Sequence, residues 1–323
     1  MLVYRLLLLI VSSFVYLPLP DSALAQTLSQ SVQAPSSKPS VILHVLVTDV
    51  QNRPVSILSQ DDFQVAEEGV PQTIAFFSKN ELPINYVLAI DISGSLKDRI
   101  SEIMTAAKII VNGNKPGDET FLIAFRDQAE ALLPTFTSNK EALFTELDQA
   151  ARWAGGQTAL NDAIYLALDP FADYKKSHPD SDRRYALILM SDGEDGGSYY
   201  NEKDLFKRLR KEGVQVFVIG LSNYPDKKGK LMDKGKRERA AIYLTRLAKE
   251  TGGHIFLPQS ASDLLNAAND ITSYLRTQYV IGYNPTVKSS KGSNRKVTVK
   301  LVNKPGQEEY RIHSREGYES IQN

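Results

Sequence analysis

The stretch INYVLAIDISGS, residues 84–95, decides the fold of this chain. Its first eight residues form an almost continuous apolar run, which is typical of a strand buried on both faces of a parallel sheet. A turn follows, and the next segment, 96–111, places apolar residues on one helical stripe. That stripe consists of Ile100, Ile103, Met104, Ala107 and Ile110. The stretch therefore predicts a strand, a tight turn and a helix, the start of a βαβ unit.

The same alternation continues toward the carboxyl end of the chain. Strands are predicted at 121–125, 185–190, 214–220 and 254–258. Helices are predicted from Lys140, with a capping box of Ser138 and Glu141, over 159–172, after Asn201, over 238–250, and over 261–277 behind Ser260. Repeated βα units predict a doubly wound, mostly parallel, Rossmann-like sheet with helices on both faces, spanning residues 84–278.

The segments on either side of this α/β domain have β patterns instead. Residues 40–80 contain three short alternating runs, and residues 279–318 contain three more. Neither set is large enough to be stable alone. We predict that both flanks join into one small β-sandwich, with two separate hairpins as the alternative. The α/β domain is predicted to begin and end at the amino end of its strands. The sandwich should therefore lie at that end of the sheet, opposite the carboxyl ends of the strands.

The amino terminus has the pattern of an export signal. Arg5 precedes the apolar run 6–17, and Ala23-Leu24-Ala25 resembles a signal-peptidase site. Residues 1–25 are therefore predicted to be a signal peptide, with an uncleaved anchor as the alternative. Residues 26–39 are rich in Ser, Gln and Pro and are predicted to be a flexible leader. The expected location is the periplasm or the extracellular medium, with no membrane span after cleavage.

Composition narrows the possible chemistry. The 38 basic and 38 acidic residues balance, so nothing suggests a nucleic-acid partner. The chain has no cysteine, which excludes disulfides and thiolate metal sites. Its four histidines, His44, His178, His254 and His313, lack metal-site spacing and are expected to be structural.

Oxygen-bearing side chains follow two of the predicted strands. Asp91, Ser93 and Ser95 lie in the turn after the first strand, and Asp192 follows the strand 185–190. Thr158 ends a Gly-Gly-Gln-Thr run that precedes a helix. In open α/β sheets, ligands bind at the carboxyl ends of strands. Carboxylates and hydroxyls are hard ligands, so the pattern indicates Mg²⁺, with Mn²⁺ or Ca²⁺ as alternatives.

These motifs resemble the von Willebrand factor type A (VWA) domain. Its metal-ion-dependent adhesion site (MIDAS) has a D-x-S-x-S motif, a Thr and a second Asp, which match Asp91, Ser93, Ser95, Thr158 and Asp192. The flanks resemble a secreted bacterial, VWFA-related branch of the family. Ile92 and Leu96 differ from the commoner residues of the motif, but neither is a ligand position. The resemblance implies a cation with an open position that an acidic side chain of a protein or peptide ligand completes.

The sequence supports a functional role less strongly for several other residues. Asp162 is expected to brace a loop, and Glu194 and Asp195 are expected to be solvated. Lys227, Lys228 and Lys230 belong to a basic run that extends to Arg239; it is either a solvated loop or a rim that steers acidic partners. On loops at the same end of the sheet, the aromatic residues Trp153, Tyr199 and Tyr200 are candidate ligand-binding anchors.

Together these features predict a metal-dependent, adhesion-type binding module that acts outside the cytoplasm. The chain has no G-x-S-x-G, H-E-x-x-H or P-loop motif, and no nucleophile paired with a base, so we expect no catalysis. Two alternatives remain. One is a structural envelope protein whose metal stabilises the fold. The other is a Mg²⁺-dependent phosphatase with Asp91 as nucleophile, although DISGS lacks the second Asp of such enzymes.

Overall fold

The computed structural model describes residues 39–79, 81–179, 181–225, 228–229, 231–288, 290, 292–302 and 309–320. The predicted signal peptide and the leader up to residue 38 lie outside these residues. In chain order the strands are β1 (Val41–Thr48), β2 (Phe63–Glu67), β3 (Val70–Gln72), β4 (Ile74–Ser78), β5 (Ile84–Asp91), β6 (Glu119–Phe125), β7 (Ala129–Ala131), β8 (Arg184–Ser191), β9 (Gln215–Gly220), β10 (Ile255–Phe256), β11 (Tyr279–Tyr283), β12 (Asn294–Leu301), β13 (Arg311–His313) and β14 (Gly317–Glu319).

The α-helices of the described residues all lie between β5 and β11. They are α1 (Ile100–Asn112), α2 (Lys140–Ala150), α3 (Leu160–Leu166), α4 (Asp169–Ser177), α5 (Glu202–Glu212), α6 (Lys234–Thr251) and α7 (Ala261–Arg276). Short 3-10 turns precede α1 at 94–99 and follow β9 at 221–223.

The central sheet has the predicted doubly wound architecture. Its strand order is β10-β9-β8-β5-β6-β7, and all neighbours are parallel except β7, which runs antiparallel to β6. All eight residues of β5 are buried, as expected for the middle of a sheet covered on both faces. One apolar core lies under α1, α2 and α7, and a second lies under α3, α4, α5 and α6. The predicted fold class is therefore confirmed.

Several local predictions were wrong. The expected helix 159–172 is two helices, α3 and α4, with Pro170 in the first turn of α4. The cap of α2 is Asn139, whose side chain accepts a hydrogen bond from the amide of Ala142, and not Ser138. Ser138 and Asn139 are both polar residues at a helix start, and only the backbone geometry decides which of them caps the helix. The caps Asn201 and Ser260 are confirmed.

The flanking segments form two four-stranded antiparallel sheets, with orders β13-β1-β11-β4 and β14-β12-β2-β3. Each sheet contains strands from both ends of the chain: β1 pairs with β11, and β2 pairs with β12. The inner faces share one apolar core, which includes Leu43, Val65, Tyr279 and Val297. Joining of the flanks is confirmed, although eight strands form the sandwich where six were expected.

Strand β1 docks the sandwich onto the α/β domain, and its residues from Val45 to Thr48 are buried on both faces. Leu43 and Val45 point into the sandwich core, whereas Leu46 belongs to the core under α1 and α7. At the amino end of the central strands, the Tyr274 hydroxyl near the end of α7 donates to Asn52 O, and the Glu316 amide donates to Glu250 O near the end of α6. Docking therefore occurs at the end of the sheet opposite Asp91, as predicted from the connections.

Candidate metal centre

The two candidate carboxylates meet because β5 and β8 are adjacent parallel strands in register. Ile90 pairs with Met190, so Asp91 ends β5 beside the point where Asp192 follows β8. Both aspartates are fully buried. The sheet register therefore brings together two acidic residues that lie 101 positions apart in the chain (192 minus 91).

The two serines of the first loop connect these carboxylates. The amide of Ser93 donates to Asp91 Oδ1 over 2.9 Å. Ser93 Oγ lies 3.1 Å from Ser95 Oγ, and Ser95 Oγ donates to Asp192 Oδ2 over 2.6 Å. Four of the five predicted ligands thus form one continuous hydrogen-bonded chain.

Ser191 was not among the predicted site residues, although it belongs to the Ser-Asp-Gly turn that identified Asp192. Its hydroxyl donates to Asp91 Oδ2 over 2.8 Å and accepts from the amide of Gly193 over 3.0 Å. Ser191 therefore orients Asp91 from the neighbouring strand. Its position as the last residue of an apolar strand was the signal that could have identified it.

Thr158 is held at the same edge by backbone hydrogen bonds. The amide of Gly155 donates to Ile92 O over 2.8 Å, and the amide of Gly94 donates to Gly156 O over 3.0 Å. The carbonyl of Thr158 accepts from the amides of Gly196 and Gly197. These bonds tie the Thr158 loop to the loops that follow β5 and β8. Thr158 itself is 6% exposed and lines the cleft that Ser95 also lines.

The two carboxylates are costly to hold together in the absence of a cation. Burial, and secondly the charge of Asp192, raise the pKa of Asp91 to about 7. Burial also raises the pKa of Asp192, against hydrogen bonds from Ser95 and the Glu194 amide that lower it. The raised pKa values mean that burying both negative charges is unfavourable. A bound cation would offset this cost in free energy.

The donor set suits a hard divalent cation. It consists of carboxylate and hydroxyl oxygens, the ligands that Mg²⁺ and Ca²⁺ prefer. No group of three or more His, Asp or Glu side chains that could hold a metal occurs among the described residues. A cation at this edge would therefore depend on the hydroxyls of Ser93, Ser95 and Thr158 in addition to the two aspartates.

An open cleft of about 540 Å³ adjoins these groups. Ser95 and Thr158 lie on one side, and Lys236, Arg239 and Tyr243 of α6 lie on the other. The hydroxyl of Tyr243 donates to Asn161 Oδ1, which joins α6 to the start of α3. Neither Tyr243 nor Asn161 was predicted to lie at the site, because nothing in the local sequence pattern places α6 across from α3.

Three acidic residues near the cleft have structural contacts. Asp162 accepts from the amides of Tyr199 and Tyr200, which confirms its predicted loop-bracing role. Asp195 accepts from the Leu160 amide and from Asn161, so it caps α3 and is not merely solvated as expected. Glu194, also expected to be solvated, forms a 2.9 Å ion pair with Lys236.

The predicted rim residues differ in their surroundings. Tyr199 is 87% exposed and Trp153 is 42% exposed, so both present apolar surface at this end of the molecule. Tyr200 instead stacks on Tyr165, with ring centroids 3.6 Å apart. Lys228 is exposed, whereas Lys227 and Lys230 lie outside the described residues.

Two of the four histidines meet at the docking interface and not at the cation centre. His254 lies against His313, with ring centroids 5.0 Å apart, and His44 lies half-buried on β1. Burial and the nearby charges of Arg184 and Arg315 lower the pKa of His44 to about 3. Their structural role is as predicted, but their proximity was not.

Comparison with protein families identifies the class of this protein. Residues 85–270 match the model of the von Willebrand factor type A domain. Because the match spans more than half of the chain, the protein belongs to the VWA domain family. Domains of this family are often adhesion or protein-binding modules and are generally not catalytic.

Solved structures with a similar fold come from several bacteria. An aerotolerance-related membrane protein of Bacteroides fragilis is 22% identical, with a TM-score of 0.46 over 59% of this chain and 98% of that one. BatB of Bacteroides thetaiotaomicron is 21% identical, with a TM-score of 0.43 over the same shares. A VWA protein of Catenulispora acidiphila is 12% identical, with a TM-score of 0.47 over 87% of this chain and 74% of that one. None of the curated proteins matches the chain.

Proposed function

We propose that this protein binds a protein or peptide ligand outside the cytoplasm through a divalent cation held by Asp91, Ser93, Ser95, Thr158 and Asp192. The observation that carries the proposal is the hydrogen-bonded chain from Asp91 through the two serines to Asp192. It gathers hard oxygen donors around two buried carboxylates at the carboxyl edge of the sheet. Mg²⁺ is the favoured ion, with Mn²⁺ and Ca²⁺ as alternatives.

The ligand is proposed to contribute an acidic side chain. Two carboxylates formally neutralise a divalent cation, but the five proposed donors leave one position of a six-coordinate Mg²⁺ shell for an oxygen of the ligand. Ser95 and Thr158 line a cleft that is open to solvent, so a ligand group has access to the cation. The exposed rings of Tyr199 and Trp153 offer apolar contacts beside it.

The basic residues at the mouth of the cleft also favour an acidic partner. Lys236 and Arg239 line the cleft, and Lys228 is exposed on the loop that follows β9. Positive charge near the cation accelerates encounter with acidic surfaces, and added salt weakens this acceleration. Export rests on the signal pattern of residues 1–25. No helix in the described part of the chain has the length and apolar character needed to span a bilayer.

Calorimetric titration with Mg²⁺ and Mn²⁺ tests the cation centre. Asp91→Asn keeps the shape of the side chain and removes its charge, so we expect it to abolish binding while circular dichroism shows an intact fold. Asp98→Asn is the matched control, because Asp98 is an exposed carboxylate in the same 3-10 turn as Ser95. Equal metal affinity in the native protein and Asp91→Asn would refute the centre.

Capture of partners from envelope extract tests the binding function. We expect one or more proteins to be retained in Mg²⁺, released by EDTA, and not retained by Asp91→Asn. If the cation binds and raises thermal stability but retention does not depend on it, the metal is structural. Release of phosphate from a chromogenic phosphomonoester, lost in Asp91→Asn, would instead indicate a phosphatase.

A further inference from the structure

A second cleft, of about 530 Å³, lies between the sandwich and the α/β domain, at the end of the sheet opposite the cation centre. One wall is the last part of α6 and the start of β10, with Lys249 and His254. The other wall is β12 and the segment from β13 to β14, with Lys296, His313 and Arg315. Ligand pockets occur preferentially at such boundaries between domains.

Arg315 is the most unusual of these residues. One guanidinium nitrogen donates to Ile42 O over 2.9 Å, while its Nε is buried and has no hydrogen-bond partner among the described residues. No ion pair to a carboxylate is found for Arg315 within the described part of the chain. Burial lowers the pKa of Arg315, and the groups that oppose this effect are the phenols of Tyr283 and Tyr318. The guanidinium Cζ also lies 5.2 Å from the centre of the Tyr318 ring, so its favourable contacts are a carbonyl and a ring face and include no carboxylate among the described residues.

The charges that line the cleft do not balance. Glu316 is its one lining carboxylate among the described residues, and Lys249 pairs with it over 3.2 Å. Lys296 and Arg315 remain without an ion pair in that part of the chain. The rings of His254 and His313 add nitrogen atoms that are able to donate one hydrogen bond each. The cleft therefore has an excess of positive charge and of hydrogen-bond donors.

We propose that this cleft binds a small oxyanion, a carboxylate or phosphate group, through Arg315 and Lys296. A guanidinium presents a planar set of donors that matches the oxygens of either group. Both of these residues belong to the sandwich, whereas Lys249 and His254 belong to the α/β domain. A bound oxyanion would therefore stabilise the docking of the two parts, independently of any cation bound beside Asp91.

Thermal unfolding of the purified chain tests the site. The midpoint is measured in EDTA at pH 7.5 with about 10 mM phosphate, acetate or sulfate, each against chloride at equal ionic strength. We expect at least one oxyanion to raise the midpoint by about 3 °C more than chloride does. Comparison of phosphate with acetate distinguishes the two ligand chemistries, and calorimetric titration with the stabilising anion gives its affinity.

Variants on the same strand separate a site from a general salt effect. Lys296→Gln should weaken binding of that anion about three- to tenfold, and Arg315→Gln should abolish the shift. Lys300→Gln is the matched control, since Lys300 is exposed on β12 outside the cleft and should behave as the native protein. Should Arg315→Gln fail to fold, Lys296→Gln still decides. No excess over chloride, or equal shifts in Lys296→Gln and Lys300→Gln, would overturn the proposal.

Discussion

The hydroxyl of Ser95 donates a 2.6 Å hydrogen bond to Asp192 Oδ2, although 97 positions separate the two residues. This bond joins the loop after β5 to the loop after β8. It completes the hydrogen-bonded chain of oxygen atoms between Asp91 and Asp192. A cation bound there would compete for the same oxygens, because each would turn lone pairs toward the metal. The proposed metal dependence therefore predicts different effects for changes at the two ends of this bond.

Replacement of the carboxylate should matter more than replacement of the hydroxyl. Asp192→Asn removes a full negative charge, and we expect it to abolish Mg²⁺ binding in calorimetry. Ser95→Ala removes a neutral donor that water is able to replace, and we expect a loss of about tenfold, near 1.4 kcal/mol. Ser101→Ala, on an exposed position of α1, is the control for the hydroxyl. Equal losses in Asp192→Asn and Ser95→Ala would contradict a charge-dependent site.

The loop that carries Thr158 should not tolerate a side chain at Gly156. This residue has φ of +83°, and a Cβ there would collide with the carboxyl group of Asp127. Moving Asp127 breaks its 2.8 Å hydrogen bond from the Gln157 amide. We expect Gly156→Ala to lower the free energy of unfolding by about 2 kcal/mol or more and to weaken metal binding.

The control for Gly156→Ala is Gly196→Ala. Gly196 has open space around its Cα and no positive φ, so we expect a change of less than about 0.5 kcal/mol there. Urea unfolding followed by circular dichroism measures both variants. An unaltered stability in Gly156→Ala would show that the Asp127 contact does not constrain this loop.

Leu46 tests whether the sandwich and the α/β domain unfold together. Its side chain lies on β1 of the sandwich but is fully buried in the core under α1 and α7. Leu46→Ala should cost about 2–5 kcal/mol and leave a single unfolding transition. Ile57→Ala, at a position that is 78% exposed, should have little effect. Two separated transitions in calorimetry would show that docking through β1 is weak.

Acid should destabilise the docking interface. Burial, and secondly His313, lower the pKa of His254 to about 3, whereas an unfolded histidine titrates near 6.5. The unfolded chain therefore binds more protons, so the stability from neutral His254 is full above pH 6.5 and falls as the pH drops toward 3. His44 follows the same sign, with Arg184 and Arg315 nearby.

The comparison of pH 7 with pH 5 measures this effect. We expect the native protein to lose about 1–2 kcal/mol more than His254→Phe between these pH values, because the raised pKa of Asp91 opposes the histidine effect equally in both proteins. His254→Phe should lose less, because its ring still packs against Phe256 and Tyr274 but does not titrate. His178→Gln, at an exposed position, should match the native protein. The same acid sensitivity in His254→Phe would exclude His254 as its source.

Much of the site was accessible from the sequence because its residues lie in short local motifs. Asp91, Ser93 and Ser95 share one turn, and the Ser-Asp-Gly turn after an apolar strand marked Asp192. The apolar run of β5 and the helical stripe of α1 determined the α/β class, since hydrophobic periodicity reflects local geometry. The flanking β patterns likewise predicted that the two ends of the chain would join.

Other features required the tertiary structure. Ser191 reaches Asp91 only because β5 and β8 are paired in register, and Tyr243 reaches Asn161 only because α6 lies across the cleft from the start of α3. His254 and His313 looked unrelated in the sequence, yet their rings lie 5.0 Å apart at the docking interface. Periodicity along the chain specifies which face of an element is buried. Which side chains then meet across elements depends on register and packing between segments that lie far apart in the chain.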